Sequence, residues 1–360
     1  MPTDEISFSF QNFVHLRNLS LNDLEAIRLI LRGGSVIDWR RLNFESRNEI
    51  DALLAVNGYN AGDPQDQKRI FYLHQAAIAF IEENYDYEIP QSLKKLDSVY
   101  DLFEHSSNWR AFNREQSLSC MLLKVMGIIN HLDGHQLAYT LPIRSNILSH
   151  IVTEKIISKI NNLKSHQCPI VEISGGEKSK NSQVVKVLAK TETLSSTIFD
   201  RLRFRLVVEH TANIIPVLYY LTREIFPFNY TIPGESTNDL IDYVKFFQND
   251  EFARKFVKDL QVDIGNEDEL RIQRWQEIMR KNPFSAENFK IINFCFDLPI
   301  RVLDHFPKMH KELNVETGYI VFAMIEIQLM DQQSAIENES GEASHEKYKQ
   351  RQLDKVWYRL

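Results

Sequence analysis

The chain has 360 residues, 43% hydrophobic and 25% charged, which is enough to bury the core of one large domain or two ordinary ones. A net charge of -7 with a pI of about 5.9 argues against a general nucleic-acid coat. Cys120, Cys168 and Cys295 lie far apart with no C-x-x-C pair, so neither a disulfide framework nor a cysteine zinc site is indicated.

The acidic start "MPTDEISFSF" lacks the basic-then-apolar order of a signal peptide. Up to about residue 163 the periodicity is helical. "SLNDLEAIRLILRGG" opens on the cap residue Ser20 and closes on Gly33 and Gly34, a usual helix stop. "DQKRIFYLHQAAIAFIEENY", "REQSLSCMLLKVMGIINHLDG" and "RSNILSHIVTEKIISKINNL" repeat apolar residues at three and four positions. The most apolar run, "SCMLLKVMGIINHL", is broken by Lys124 and too short to span a bilayer, so the expected location is the cytoplasm, away from membranes. "HLDGH" offers His131, Asp133 and His135. Their spacing could touch a metal, but a polar helix end closed by Gly134 is the preferred reading.

After Pro169 the text becomes strand-like in "CPIVEIS", "FDRLRFRLVVE", "FKIINFCFDLPIRVL" and "GYIVFAMIEIQL", with a helix expected at "NIIPVLYYLTREI". Residues 234–285 are polar and helical, read as an insertion or lid. The expected fold is α+β: a helical N-terminal domain at 1–153, then a domain at 154–360 built on a mixed sheet flanked by helices.

In the last strand, alternation puts Phe322, Met324, Glu326 and Gln328 on one face and Val321, Ala323, Ile325, Ile327 and Leu329 on the other. A half-buried carboxylate such as Glu326 needs a partner, either a metal ion or a Lys or Arg. Asp200 begins an earlier strand. Two strand-borne carboxylates converging on Mg²⁺ would suit phosphoryl or nucleotidyl transfer. Upstream, "SGGEKSKNSQVVKVLAK" carries glycines that allow close backbone approach and lysines that could hold phosphates, yet it lacks the P-loop spacing and equally fits a solvated loop. Arg201, Arg203 and Arg205 alternate along one strand face, which is therefore either wet or opposed by an anion.

Taken in order, "SGGEKSKNSQVVK", "FDRLRFRLVV", "IEIQ" and "GEASHEKYK" resemble the synthetase domain of the RelA/SpoT alarmone synthetases. Gly175, Lys178, Ser182 and Lys186 match a loop of the form G-R-x-K-x-x-x-S-x-x-x-K. Asp200 and Arg205 match the metal aspartate and the arginine five residues on. Glu326 and Gln328 match the E-I-Q strand. Gly341, Ala343, His345, Tyr348 and Lys349 match the closing G-x-A-x-H-x-x-Y-K.

The resemblance covers roughly residues 154–360. It implies a nucleotidyltransferase-like sheet and transfer of pyrophosphate from the co-substrate ATP to a nucleotide 3′-hydroxyl, the alarmone synthesis of a stringent response. The default acceptor is a guanosine nucleotide, with adenine nucleotides or tRNA as alternatives, and a catalytically degenerate binding relative as the rival reading. It further implies Asp200 and Glu326 as catalytic Mg²⁺ ligands, and Lys178 and Lys186 as holders of the ATP phosphates. Arg203 and Arg205 would lie at the nucleotide, Phe289 and Gln328 would place the acceptor, and His345, Tyr348 and Lys349 would close the pocket. Gly176 and Met330 stand where the family has arginine, and Phe289 and Asn293 stand for its tyrosine and histidine in the base-binding strand. The adjacent His-Asp pair of the family's hydrolase domain does not occur.

Overall fold

A computed structural model describes residues 19–34, 42–85, 87–107, 114–166, 168–189, 202–241, 289–311, 313–340 and 345–357. Among the described residues seven helices come first: α1 (Leu21–Arg32), α2 (Arg47–Val56), α3 (Pro64–Asn84), α4 (Gln91–Lys94), α5 (Asp101–Ser107), α6 (Arg114–Thr140) and α7 (Ser145–Ser165). Then follow β1 (Ile170–Glu177), α8 (Lys180–Ala189), β2 (Leu202–Val208), α9 (Ile214–Glu224), β3 (Thr237–Asn238), β4 (Ile292–Arg301), α10 (Val302–His305), β5 (Ile320–Asp331), α11 (Gln332–Glu339) and α12 (His345–Trp357). The fold is α+β, as expected. Most of the segment read as an insertion lies outside the described residues.

Local chemistry sets the helix ends. Ser20 and Asp23 form a reciprocal capping box at the start of α1, and Gly33 ends it in the left-handed conformation at φ 63°. Asp63 caps α3, with Pro64 at the first helical position.

The five strands run in the order β1-β2-β5-β4-β3, with β2 and β5 parallel and the remaining pairs antiparallel. Val321, Ala323, Ile325, Ile327 and Leu329 of β5 all enter one large apolar core, together with Phe204 and Leu206 of β2, Phe294 and Phe296 of β4, and residues of α7 and α9. That core also takes Leu24, Ile27 and Ile30 from α1. A second core joins α2, α3, α5 and α6 to Phe228, Tyr230, Ile320 and Phe322. Ion pairs bridge the same elements. Arg301 meets Asp63 and Asp66, and Arg223 meets Asp23. The fully buried Arg69 donates to the Val315 and Glu316 carbonyls at 2.9 and 2.8 Å and to Asp133 at 2.7 Å.

Three glycines correct the sequence reading. Gly175 and Gly176 belong to β1 rather than to a solvated loop. A Cβ on Gly175 would lie 2.1 Å from the Arg203 carbonyl oxygen, so only glycine lets β1 approach β2 there. Gly134 does not end a helix, because α6 continues to Thr140. A Cβ there would stand 2.5 Å from the Phe322 ring and 2.8 Å from the Ile320 carbonyl oxygen. The glycine is where α6 lies directly on β5.

Gly134→Ala should therefore destabilise the chain by about 1–3 kcal/mol in denaturant unfolding, through overpacking. Gly127→Ala, on the same helix with nothing nearer than 3.9 Å, should instead leave stability level or raise it by about 0.5–1 kcal/mol. Equal effects at the two positions would contradict the close contact.

Candidate functional site

Directly paired residues on neighbouring strands share a face. Beside Glu326 of β5 stand Arg203 of β2 and Cys295 of β4. Beside Gln328 stand Arg205 and Asn293. One strand further, Gly176 pairs with Arg203 and Ser174 with Arg205. A row of polar groups thus crosses β1, β2, β5 and β4 on the face opposite the large core. Segments more than a hundred residues apart in sequence meet here.

Glu326 is 4% exposed, and its partner is an arginine. Arg203 Nε donates to Glu326 Oε2 at 2.5 Å, and Gln328 Nε2 lies 3.5 Å from Oε1. Arg205 extends to Glu339 at the end of α11, at 2.7 Å. So Arg203 and Arg205 meet carboxylates of their own chain. Several groups on this face are buried without a hydrogen-bond partner among the described residues: Arg205 Nε, Asn293 Oδ1 and Asp297 Oδ1. Buried polar atoms are ordinarily satisfied, so each of these carries a cost that a bound partner or water would relieve.

The glycine-lysine segment borders this row. Lys178 directly follows β1. Ser182 sits in the first turn of α8, with its hydroxyl 3.0 Å from that of Ser179. Lys186 lies on α8. Tyr348 of α12 packs, with Val185 and Leu188 of α8, around Val356, and Gln352 donates to its hydroxyl at 3.0 Å. Lys349 is exposed. Tyr348 and Lys349 therefore lie on a helix packed against the one that carries Ser182 and Lys186, while Gly341 and Ala343 lie outside the described residues. The side chains of Lys186 and His345, and all of Asp200 and Arg201, lie outside the described residues.

Phe289 is part of a small apolar cluster with Val207, Ile291 and Met330. Met330, 2% exposed, is sealed there, so the position matching a family arginine is dry in this chain.

Sequence reasoning grouped Asp133 with the two histidines, whereas Asp133 turns to Arg69. The carboxylate facing the histidines is Asp297 of β4. His131 Nε2 lies 2.7 Å and His135 Nε2 3.0 Å from its Oδ2, and the two Nε2 atoms are 3.1 Å apart. Burial works to raise the Asp297 carboxyl, but hydrogen bonds from His131 and His135 and their charge outweigh it and hold the group below its ordinary value. The H-x-x-x-H spacing was visible in the sequence. Asp297 was hidden as one acid inside an apolar strand.

No family model and no curated protein matches this chain. Among solved structures it is similar to the small alarmone synthetase 1 of Bacillus subtilis bound to its product pppGpp, at 11% identity and a TM-score of 0.31 over 59% of this chain and 85% of that one. It is also similar to a GTP pyrophosphokinase family protein from Streptococcus pneumoniae, at 13% identity and a TM-score of 0.30 over 58% and 82%. At these values the reading of the site rests on its own residues.

The Arg203–Glu326 pair makes a stability prediction. Arg203→Met strands a buried carboxylate and should cost about 1–3 kcal/mol, whereas Arg203→Met combined with Glu326→Met should recover most of the loss. Chemical denaturation of the two variants checks this. A single variant as stable as the parent would show that Glu326 does not depend on Arg203.

Proposed function

We propose that this chain transfers pyrophosphate from ATP to the 3′-hydroxyl of a nucleotide acceptor, with a guanosine nucleotide as the default acceptor and adenine nucleotides or tRNA as the variants to test. The observation that carries the reading is the meeting of three distant motifs on adjacent strands. The "SGGEKSK" strand edge, the Arg203 and Arg205 face of β2, and Glu326 and Gln328 of β5 form one continuous polar surface.

The resemblance implies Mg²⁺ held by Asp200 and Glu326. Glu326 suits part of that set, since Arg203 engages Oε2 and only the Gln328 amide, at 3.5 Å, approaches Oε1. Bound there, Mg²⁺ would neutralise charge on the phosphates. In the transfer the acceptor hydroxyl oxygen bonds to the β-phosphorus of ATP, the bond from that phosphorus to the α-phosphate oxygen breaks, AMP leaves, and the hydroxyl proton passes to solvent or a carboxylate. Lys178 and Arg205 sit at the edge of the face, where they would offset phosphate charge. Gln328 and Asn293, paired across β5 and β4, present amides to the acceptor.

A second reading, a relative that binds nucleotides without transferring pyrophosphate, is favoured by two observations. Arg203 already compensates Glu326, and Met330 is sealed in an apolar cluster. Incubation of the full chain with γ-labelled ATP and Mg²⁺ against GDP, GTP, AMP, ADP, ATP and tRNA separates the two. The proposal expects one labelled, pyrophosphorylated acceptor with stoichiometric AMP, lost in Glu326→Gln. ATP binding with every acceptor unlabelled would establish the binding relative instead.

Arginine placement gives a further test. Gly176 has φ 143°, a conformation that side chains other than glycine's rarely adopt, and it pairs with Arg203. Gly176→Arg should therefore leave ATP affinity level or lower it. Arg205→Ala removes a charged contact worth about 1.5–3 kcal/mol and should weaken ATP binding roughly ten- to a hundredfold. Calorimetric titration decides. A gain in Gly176→Arg with no change in Arg205→Ala would contradict this division of roles.

A further inference from the structure

The geometry points to a divalent transition-metal site, of the kind that binds Zn²⁺, formed by His131 and His135 of α6 and Asp297 of β4. It is separate from the Mg²⁺ position of the proposed transfer and uses none of the same residues.

The donor atoms already converge. His131 Nε2, His135 Nε2 and Asp297 Oδ2 are separated by 2.7, 3.0 and 3.1 Å. Atoms so spaced lie on a circle of radius about 1.7 Å, so a point roughly 2.0–2.1 Å from all three exists about 1.1 Å above their plane, at ordinary zinc–nitrogen and zinc–oxygen distances. Two imidazole nitrogens and one carboxylate suit Zn²⁺ and its transition-metal neighbours, whereas Mg²⁺ prefers oxygen alone.

Hydrogen bonds alone cannot satisfy the trio. Each Nε2 carries at most one hydrogen. If both carry one, both can donate to Oδ2, but the two N–H groups then face each other at 3.1 Å. If one is bare, its lone pair faces the carboxylate oxygen. One of the three contacts is unfavourable in every tautomer, and a cation above the plane would give each of the three donor atoms a favourable partner. Asp297 adds an independent sign. Its side chain is 3% exposed, and Oδ1 is buried with no hydrogen-bond partner among the described residues. A second carboxylate oxygen turned to a metal would resolve that cost.

The surroundings hold the ligands in place. His131 and His135 are four apart on one helix and so share a face. Gly134 between them lets that face press onto β5. The His131 ring stacks on Tyr230 at 5.1 Å, and the His135 ring stacks on Phe322 at 5.7 Å. The histidine side chains keep 32% and 41% exposure, so solvent can supply the fourth ligand of an open, three-protein-ligand site. Asp297 is also the diagonal neighbour of Glu326 across β4 and β5, so the two residues share the polar face about 7–8 Å apart.

The test uses the full chain, stripped with a chelator and titrated with Co²⁺ as a spectroscopic probe and with Zn²⁺ by calorimetry. The expected result is one equivalent of each ion, visible Co²⁺ ligand-field absorption, a Zn²⁺-dependent rise in Tm, and no displacement by excess Mg²⁺. Asp297→Asn should weaken Zn²⁺ binding, and His135→Ala should weaken it at least ~100-fold, since even a lost supporting contact costs 10–100-fold. His135 is well enough exposed for its alanine variant to keep the apo melting temperature, which separates lost ligation from lost folding. The readout is binding, so it stands whether or not pyrophosphate transfer is found. No uptake by the parent chain, or equal affinity in His135→Ala, would overturn the site.

Discussion

The architecture depends on the contact between α6 and β5, where Gly134 leaves no side chain between a helix and a strand. Phe322 and the Ile320 carbonyl fill the space that any larger residue would need. Because the helix lies so close, Asn130 reaches the hydroxyls of Tyr59 and Tyr230 at 2.6 and 3.0 Å, and Asp133 reaches the buried Arg69. His131 and His135, on either side of the glycine, are carried onto Asp297. The helical half and the sheet therefore share cores and ion pairs, and the sheet's polar face is bounded at one end by a helix that lies this close because position 134 is glycine.

The second constraint is the two-sided character of β5. Its odd-numbered residues from Val321 to Leu329 close the large core, whereas on the other face Ile320 and Phe322 enter the second core and Glu326 and Gln328 stand beside Arg203 and Arg205. A carboxylate in the middle of a sheet is costly unless compensated, and here the parallel neighbour supplies Arg203 at the same register position. The pair leaves one Glu326 oxygen lightly held and Arg205 and Asn293 incompletely satisfied. A ligand that brought an anion to Arg205 and a cation or donor to the Glu326 and Asn293 oxygens would complete these interactions.

Much of this was legible in the sequence because it is local. Ser20 and Gly33 announce α1, period-two alternation announces β5, and the apolar stretch "CPIVEIS" announces the first part of β1, whereas the helix α8 after it reads as loop. What stayed hidden depends on pairing across long separations. The parallel register that sets Arg203 beside Glu326 joins positions 123 apart, and no local pattern encodes it. Gly134 reads as a helix stop because glycine usually is one. Its packing role appears only once Phe322, far along the chain, is placed against it. Asp133 looks like the acid partner of the neighbouring histidines, yet a helix turns it toward Arg69 while Asp297 arrives from β4.

The central claim is that the Arg203–Glu326–Gln328 face receives the triphosphate of ATP. A crystal structure of the full chain with the non-transferable analogue α,β-methylene ATP and Mg²⁺ tests it most directly. The account predicts the phosphates against this face, between Lys178 and Arg205, with Glu326 turned to the ion. A nucleotide bound elsewhere, with Arg203 and Glu326 still paired and the face bare, would contradict it.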